Sequence, residues 1–407
     1  MQVTHAQKRP WLVLAGLALG VTVTNGFARF SYGLILPAMQ SDLGWNYAQA
    51  GWLNTANALG YIAGAILTML MIGRYSAISL FSFGLVTTNL ALLATGLSAE
   101  LWWQTLWRIL VGFFGALSFS TAGVLAAGLF PNDPRRNAMA IAIVFGTGGG
   151  LAIVLSGASL PLFLEHYGAD HWPLAWVIIA AICLLFLPLC LWSTAKLKSP
   201  TPRQAEAAEP LPVSQIWAQL AGYAGFGLGY IVFLTFLSAW MTQQAASATF
   251  IATVWILLGL CICMSPLVWR PILARHASGL PLAMILSCIA LGSALPVLFP
   301  GNLSLLLAAV IFGLSVFMAP SAVTNFTRQN LPAHSWGAAI SLFTVVFAVA
   351  QTLGPYAAGL LGDLAGDIGI SLLGASGLLL LGAVIALTQR PLPNHPVTGN
   401  TKPGKPE

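Results

Sequence analysis

Long apolar stretches separated by short polar breaks run along the whole chain. A helix needs about 20 apolar residues to cross the hydrocarbon core of a bilayer, and stretches of this length indicate membrane helices rather than strands. The pattern predicts an all-α membrane protein with twelve spans. Six lie near residues 11–39, 46–71, 77–98, 101–129, 138–163 and 172–192. Six more lie near residues 215–241, 247–269, 280–299, 303–326, 336–362 and 368–389.

One long polar stretch, residues 193–214, separates the sixth predicted span from the seventh. It mixes charged residues with prolines, a composition typical of linkers. We expect a six-helix half at residues 1–192 and a second at 215–390, joined by a cytoplasmic linker at 193–214. A flexible cytoplasmic tail is expected at residues 391–407.

The two predicted halves carry matching residues at a constant offset. Gly112 and Pro131 bracket the fourth span, and Gly313 and Pro332 bracket the tenth, with a shift of 201 residues in both cases. These matches favour a duplicated array of six plus six helices related by a pseudo-twofold axis. In parallel repeats of this kind, the substrate site lies at the interface between the repeats near the middle of the membrane.

The composition excludes a water-soluble fold. Hydrophobic residues make up 58% of the chain and charged residues 6%, with a mean hydropathy of +0.85, whereas soluble domains carry about 25% charged residues. The five cysteines lie in apolar runs without histidine or acid at ligand spacing, so neither a disulfide framework nor a metal site is expected. The first apolar run is too long for a signal peptide and is expected to remain as the first span.

The basic residues outside the spans fall on one side of the predicted topology. Cytoplasmic loops of membrane proteins carry an excess of lysine and arginine, so we expect both termini in the cytoplasm. That side holds Lys8, Arg9, Arg74, Arg135, Arg136, Lys196, Lys198, Arg203, Arg270, Arg275, Arg328, Arg390, Lys402 and Lys405. The opposite loops hold Asp42, Glu100, Glu165, Asp170, Asp363 and Asp367. The net charge of +6 is therefore attributed to topology near anionic lipid rather than to nucleic-acid binding.

Two stretches resemble the first two helices of a known family. They read NGFARFSYGLILPAM at residues 25–39 and AGWLNTANALGY at residues 50–61, and they are similar to the YbfB/YjiJ-like major facilitator proteins. The resemblance implies the major facilitator fold, a location in the bacterial inner membrane, and transport rather than enzymatic activity. Members of this family largely lack an assigned substrate.

General patterns of the superfamily are present in part. RILVG at residues 108–112 resembles the fourth-helix pattern, and Gly354 with Pro355 resembles the Gly-Pro element of the eleventh helix. The loop between the second and third spans keeps Arg74 but lacks the usual aspartate, and the fifth span lacks the complete antiporter pattern. Proton antiport is therefore kept as an alternative.

Arg29 and Arg108 are the two basic residues predicted within spans, and no acid or histidine joins them there. The helical rise puts Arg29 about 15 Å and Arg108 roughly 10 Å from the outer ends of their spans. The resemblance implies that helices one, four, seven and ten line the cavity, so both arginines are expected to face the same space. Because guanidinium groups pair with carboxylate or phosphate, they predict an anion site. For Arg108, a role in coupling or packing is an equal alternative.

Polar residues at helical spacing complete the candidate substrate or coupling site. They are Asn25 and Tyr32 in the first span, Asn54 and Asn57 in the second, and Tyr223, Tyr230 and Thr235 in the seventh. Each of them is expected either to line the cavity or to bond a neighbouring helix.

The leading hypothesis is a secondary active transporter that moves a small organic solute of anionic character by alternating access. We expect a monomer in a lipid bilayer that binds a small-molecule substrate without a cofactor, a metal or nucleic acid, and we leave a coupling proton open. The first alternative is a proton-driven exporter of drugs or metabolites. The second is a membrane receptor that does not transport.

Overall fold

The computed structural model describes residues 9–72, 74–127, 129–130, 133–197 and 211–392. Every regular element in these ranges is helical, and twelve of the helices are long and apolar enough to cross a membrane. The prediction of an all-α protein with twelve membrane spans is confirmed.

We label the twelve helices α1 to α12 in chain order. The first half contains α1 (Pro10–Leu43), α2 (Tyr47–Met71), α3 (Ala77–Thr95), α4 (Leu101–Ala127), α5 (Pro134–Tyr167) and α6 (Trp172–Ala195). The second half contains α7 (Val213–Gln243), α8 (Ala248–Arg275), α9 (Leu280–Leu298), α10 (Asn302–Asn330), α11 (Trp336–Ala365) and α12 (Ile368–Leu387).

Several helices continue beyond their apolar cores. The eighth runs to Arg275 and the tenth to Asn330, past their predicted ends at residues 269 and 326. A helix satisfies its backbone hydrogen bonds internally, inside the hydrocarbon and beyond it. Hydropathy therefore locates the membrane core but not the last turn of each helix.

Part of the predicted domain organisation lies outside the described residues. The sixth helix ends at Ala195 and the seventh begins at Val213. Residues 1–8, 198–210 and 393–407 fall outside the described ranges. The boundaries given above for the halves, the linker and the tail remain predictions.

Both ends of the helical array lie on one side of the molecule, because consecutive spanning helices run in opposite directions. Trp11 at the start of α1 packs on Phe130 beyond the end of α4, with ring centroids 5.6 Å apart. Gln389 beyond the end of α12 donates to the carbonyl of Gln215 at the start of α7, at 2.9 Å. We call this side the terminal face and the opposite side the far face.

Two helices depart from regular α geometry near their centres. The segment Thr22–Phe30 of α1 is a π-helix. A 3-10 turn at Val316–Met318 divides α10, and Pro320 follows in the first turn of its second part. Proline lacks an N–H and its ring blocks the carbonyl four residues earlier, which accounts for this break. The π-helical segment is the more informative of the two, since such segments occur frequently at functional sites.

Glycines bring α2 and α4 into close contact inside the first half. A Cβ atom at Gly60 would overlap the carbonyl of Ile109, and one at Gly112 would overlap the carbonyl of Asn57. Small residues let membrane helices approach closely enough for dispersion forces to hold them together. These glycines therefore serve packing.

Among the described residues, the two halves meet most extensively along three helix pairs, α1 with α7, α2 with α11, and α5 with α8. Toward the far face, a Cβ atom at Gly33 would overlap the carbonyl of Leu234. A Cβ atom at Gly51 would likewise overlap the carbonyl of Pro355. The halves are thus in direct backbone contact on the far-face side of their junction.

Candidate functional site

Arg29 extends from the π-helical segment of α1 across the junction between the halves. Its Nη2 atom donates to Oε1 of Gln351 on α11 at 2.7 Å. Its guanidinium carbon lies 5.2 Å from the centre of the Tyr61 ring on α2. The side chain is 6% exposed. A charge-assisted hydrogen bond of this length is among the stronger neutral-to-charged contacts in proteins, so Arg29 ties α1 and α2 to the second half.

Gln351 is the centre of this polar cluster. It is fully buried, and its Oε1 atom accepts a second hydrogen bond from the Tyr230 hydroxyl on α7 at 3.1 Å. Nε2 of Gln351 and Nε of Arg29 are buried without a partner. Both of these unpaired atoms are hydrogen-bond donors, and leaving such a group unpaired costs about 1–3 kcal/mol. The cluster therefore lacks acceptors, which an anion would provide.

An aromatic wall stands next to Gln351 toward the terminal face. Phe347 lies one helical turn earlier on α11 and is partly exposed. Its ring stacks on Tyr223, Phe226 and Tyr230 of α7, at centroid distances of 5.3, 5.5 and 5.7 Å. Nearly parallel rings at these distances form an offset stack, which lies about one helical turn from Gln351.

Three rings of the first half form a second aromatic surface. Tyr61, which contacts Arg29, packs on Phe119 of α4 at 5.9 Å. Phe119 in turn packs on Phe145 of α5 at 4.8 Å. All three rings are partly exposed. Aromatic rings from both halves therefore border the cluster around Arg29.

Hydrogen bonds between the halves continue from this cluster toward the far face. Nδ2 of Asn54 on α2 donates to Oγ1 of Thr235 on α7 at 2.5 Å. The hydroxyl of Thr55 donates to the carbonyl of Thr352 on α11 at 2.7 Å. Asn54, Asn57, Tyr230 and Thr235 are all buried. Asn54 and Thr235 therefore join the halves rather than lining an open space.

Asp363 forms the last of these links at the far face itself. Its carboxylate oxygens accept the backbone N–H groups of Tyr47 at 2.8 Å and Ala48 at 2.9 Å. These groups belong to the first turn of α2, where backbone donors have no partner within the helix. A carboxylate at a helix N-terminus is also favoured by the helix dipole. Asp363 of the second half thus caps a helix of the first half.

Arg108 lies beside the same stretch of α1 as Arg29 but is enclosed within the first half, whereas the expectation was that both arginines face the same space. It is fully buried inside the first half, and its Nη1 atom donates to the carbonyl of Ala28 at 2.9 Å. Its guanidinium carbon lies 4.9 Å from the Tyr32 ring and 5.6 Å from the Trp176 ring of α6. Adjacent residues on a helix point roughly 100° apart. Arg108 meets the α1 backbone at Ala28, while the neighbouring Arg29 side chain points into the junction.

The remaining predicted residues divide between the two places. Tyr32 donates to the carbonyl of Ala50 at 2.7 Å, and Asn57 donates to the carbonyl of Arg108 at 3.1 Å. Both side chains connect helices within the first half. Asn25 is the one partly exposed residue of the π-helical segment Thr22–Phe30. It precedes Arg29 by four residues within the same π-helical segment.

Gln351, Tyr61 and Phe347 belong to the cluster but were absent from the candidates drawn from the sequence. Tyr61 follows Asn54 by seven residues, a spacing that puts both on one face of α2. Gln351 is an amide inside an apolar span, which is the same signal that made Asn54 and Asn57 candidates. Phe347 carried no separate signal, since aromatic residues are common throughout these spans.

Comparison with known proteins agrees with this architecture. The family described as "Uncharacterised MFS-type transporter YbfB" matches residues 21–387. A Haemophilus influenzae protein named for metabolite transport is 28% identical over 164 residues. That match covers 39% of this chain and 38% of the relative, so the chain is matched to well under half the relative's length.

Three solved transporter structures share the fold. A bacterial homolog of the human lysosomal transporter Spinster, in an inward-facing and unoccupied conformation, has a TM-score of 0.67 at 16% identity, covering 93% of this chain and 96% of that one. The nucleoside transporter NupG gives 0.69 at 13% identity, covering 93% and 99%. The peptide transporter POT gives 0.70 at 16% identity, covering 92% and 93%. The expected major facilitator fold is confirmed, and these proteins are transporters rather than enzymes.

Proposed function

The chain belongs to the YbfB family of MFS-type transporters, and on that premise we propose that it is a secondary active transporter of a small organic anion. The anion binds at Arg29, and the two halves rock around it to expose the site to either side of the membrane in turn. The site is built within one chain, which supports a monomer as the working unit.

The observation that carries this proposal is the excess of donors around Arg29. Within the described residues, Arg29 has no acidic partner, and the unpaired buried atoms next to it, its own Nε and Nε2 of Gln351, are both donors. A buried cation in a span marks a transport pathway or an internal partner by default. A carboxylate would satisfy these donors and pair with the guanidinium in a fork.

The residues around Arg29 also indicate the chemical character of the uncharged part of the substrate. One cation at the centre suits one negative charge. The partly exposed rings of Phe347, Tyr61 and Phe119 offer apolar and stacking surface on both sides of it. Pockets for small molecules are largely apolar with a few polar groups that fix orientation. We therefore infer a monocarboxylate with an aromatic or otherwise apolar body.

The direction in which this site opens follows from where the halves touch. The halves are joined on the far-face side of Arg29. The contacts there are hydrogen bonds that involve Asp363, Thr55 and Asn54 and the close approach at Gly33. The partly exposed Phe347 lies on the terminal side of it. We infer that this state admits substrate from the terminal face. We propose that the terminal face, with both termini, lies on the cytoplasmic side of a bacterial inner membrane, and the basic residues at helix ends on that face support this orientation.

Ligand-induced thermal stabilisation of the purified protein tests the proposal. The panel contains aryl and alkyl monocarboxylates, organic cations and neutral solutes. A ligand that binds only the folded state stabilises it by about 2.7 kcal/mol at 100 times its dissociation constant. We expect monocarboxylates to stabilise the wild type and the surface variant Arg74→Gln, but not Arg29→Gln. Stabilisation by cations alone, or equal anion stabilisation of Arg29→Gln, would contradict an anion site.

Uptake into proteoliposomes separates the modes of coupling. Anion uptake that responds to a pH gradient would indicate a proton carried with the substrate, whereas uptake that depends only on internal anion would indicate exchange. The competing function, a proton-driven exporter of drugs or metabolites, predicts transport of cationic or neutral compounds and no dependence on Arg29.

A further inference from the structure

We propose that Gln351 sets the charge selectivity of the central site and holds the halves together until an anion takes its place on Arg29. This inference rests on the proposed function, because it assigns Gln351 a task at the same site. Gln351 is a specificity-determining residue in this view, since it acts through the guanidinium that receives the substrate.

The geometry gives Gln351 the position of a carboxylate. Its Oε1 atom receives the short hydrogen bond from Arg29 Nη2 and the bond from the Tyr230 hydroxyl. Those are the contacts that an acidic residue would make with a buried arginine. The amide orientation follows from the two donors that face Oε1, which require an acceptor there. Gln351 therefore imitates a carboxylate in shape and hydrogen bonding while carrying no charge.

The missing charge is the physical basis of selectivity. A glutamate at this position would neutralise Arg29 inside the protein, where charges interact more strongly than in water. The amide leaves the positive charge of Arg29 uncompensated within the described residues. A monovalent anion is then attracted to the site, whereas a cation is repelled by it, and a zwitterion gains less than an anion because its cationic group offsets its carboxylate. The choice of amide rather than acid at residue 351 thus decides the sign of the substrate.

The Arg29–Gln351 hydrogen bond also links binding of the anion to movement of the two halves. An entering carboxylate that pairs with Nη2 and Nε of Arg29 displaces Oε1 of Gln351 from Nη2. The unpaired Nε2 of Gln351 can then donate to the carboxylate from the opposite side. The direct bond between α1 and α11 is replaced by contacts through the ligand. A bound anion therefore breaks the direct hydrogen bond between the halves while it remains in contact with both.

Two near-isosteric variants test this assignment. Gln351→Glu introduces the charge and keeps the shape, whereas Gln351→Met keeps the net charge of the site and removes the hydrogen bonds. The probe is benzoate together with the monocarboxylate that most stabilises the wild type. Melting without ligand reports whether each variant is folded, and Gln351→Glu is expected to melt at or above the wild-type temperature because its carboxylate pairs with Arg29.

We expect Gln351→Glu to bind the monocarboxylates about 100-fold more weakly than the wild type, the size of effect seen when a buried charge contact is lost. Gln351→Met is expected to bind them within about tenfold of the wild type, since the release of Arg29 from Oε1 offsets the lost contact from Nε2. Wild-type affinity in Gln351→Glu would overturn the charge assignment. Equal losses in both variants would overturn it too, because the amide itself would then be the required contact.

The outcomes also separate this inference from the proposed function. If monocarboxylates stabilise the wild type and not Arg29→Gln, while Gln351→Glu behaves as the wild type, the anion site stands and the role of Gln351 falls. If no monocarboxylate stabilises the wild type, or if Arg29→Gln responds equally, the proposed function fails and the assignment of Gln351 fails with it.

Discussion

The junction between the halves and the interior of each half use the same residue types for different purposes. At the junction, Arg29 bonds to Gln351 of the opposite half, whereas Arg108 bonds to the backbone of its own half at Ala28. Both arginines are buried and both keep unpaired donors. What distinguishes them is whether their contacts must break when the halves separate.

Glycine and aspartate show the same contrast. Gly33 meets the backbone of Leu234 across the junction, whereas Gly60 meets Ile109 within the first half. Asp363 caps α2 across the junction, whereas Asp367 accepts the N–H of Gly369 two residues further along its own helix at 2.8 Å. In each pair one residue makes its contact across the junction and the other within a half, so we expect the first to affect the conformational equilibrium and the second the stability of the half. Each pair yields a matched experiment.

The arginine pair is expected to give the largest difference. Arg29→Gln should weaken monocarboxylate binding by about 30-fold or more, because truncating one partner of a buried charged contact costs about 2–5 kcal/mol. Arg108→Gln should change that affinity less than about threefold, since Arg108 is enclosed by α1, α4 and α6. It should instead lower the free energy of unfolding by about 1–3 kcal/mol, because the Ala28 carbonyl loses its partner.

Isothermal titration with benzoate and thermal melting without ligand measure the two effects separately. A comparable loss of affinity in the two variants would mean that the arginines form one site, as the sequence first indicated. Unchanged melting of Arg108→Gln would mean that its bond to Ala28 adds nothing to the stability of the first half.

The sequence predicted the fold well because a bilayer allows few solutions. Twelve apolar runs and a one-sided distribution of lysine and arginine carry most of the information, since a spanning segment must satisfy its own backbone. Helix ends were less predictable. Arg275 and Asn330 continue their helices beyond the hydrophobic core, where no hydropathy signal marks the last turn.

The site was only partly predictable, for a geometric reason. The residue types were visible in the sequence, and Arg29, Tyr223 and Tyr230 do lie at or beside the central cluster. The direction of each side chain was not visible, because a helix that is apolar on most of its faces, such as α4, carries no pattern that marks which face meets the junction. Arg108 was therefore grouped with Arg29, although it points into the first half.

The glycine pair is expected to give an intermediate difference. Gly60→Ala forces a methyl group into the Ile109 carbonyl inside a packed half, and overpacking of this kind costs about 1–3 kcal/mol of folding free energy. Gly33→Ala meets an equal obstruction at Leu234, but α1 and α7 can separate there as the transporter opens. Gly33→Ala should shift the conformational equilibrium toward the far-face-open state by about the free energy that Gly60→Ala costs in folding. Its own free energy of unfolding should stay nearly unchanged.

A cysteine introduced at Ala48 reports on this shift, since Ala48 is buried at the closed junction. Its labelling by a membrane-impermeant thiol reagent from the far face should accelerate in Gly33→Ala and remain at the parent rate in Gly60→Ala. Faster labelling in both variants would show that the two contacts report general loosening rather than separate tasks.

The aspartate pair is expected to give the smallest difference and the strictest test of the comparison. Asp363→Asn keeps one of the two hydrogen bonds to α2, because an amide has a single acceptor oxygen, and it also removes the interaction of the charge with the helix dipole. Together these losses cost about 1 kcal/mol. In Asp363→Asn this loss falls on the closed state alone, because the cap of α2 is released when the far face opens. The labelling rate of a cysteine at a far-face junction position other than residue 48 should therefore rise about two- to fivefold. The free energy of unfolding should stay unchanged.

Asp367→Asn keeps the bond to Gly369, which uses one oxygen, and loses only the interaction of the charge with the dipole of α12, about 0.3–1 kcal/mol. This loss occurs in every conformation, because donor and acceptor belong to one helix. Unfolding should then be weakened by that small amount, while labelling stays at the parent rate. A helix cap can control the conformational equilibrium only if its carboxylate and its N–H groups lie on opposite sides of the moving junction. If Asp367→Asn accelerated labelling as much as Asp363→Asn, the far-face charge in general, and not the cap across the junction, would control opening.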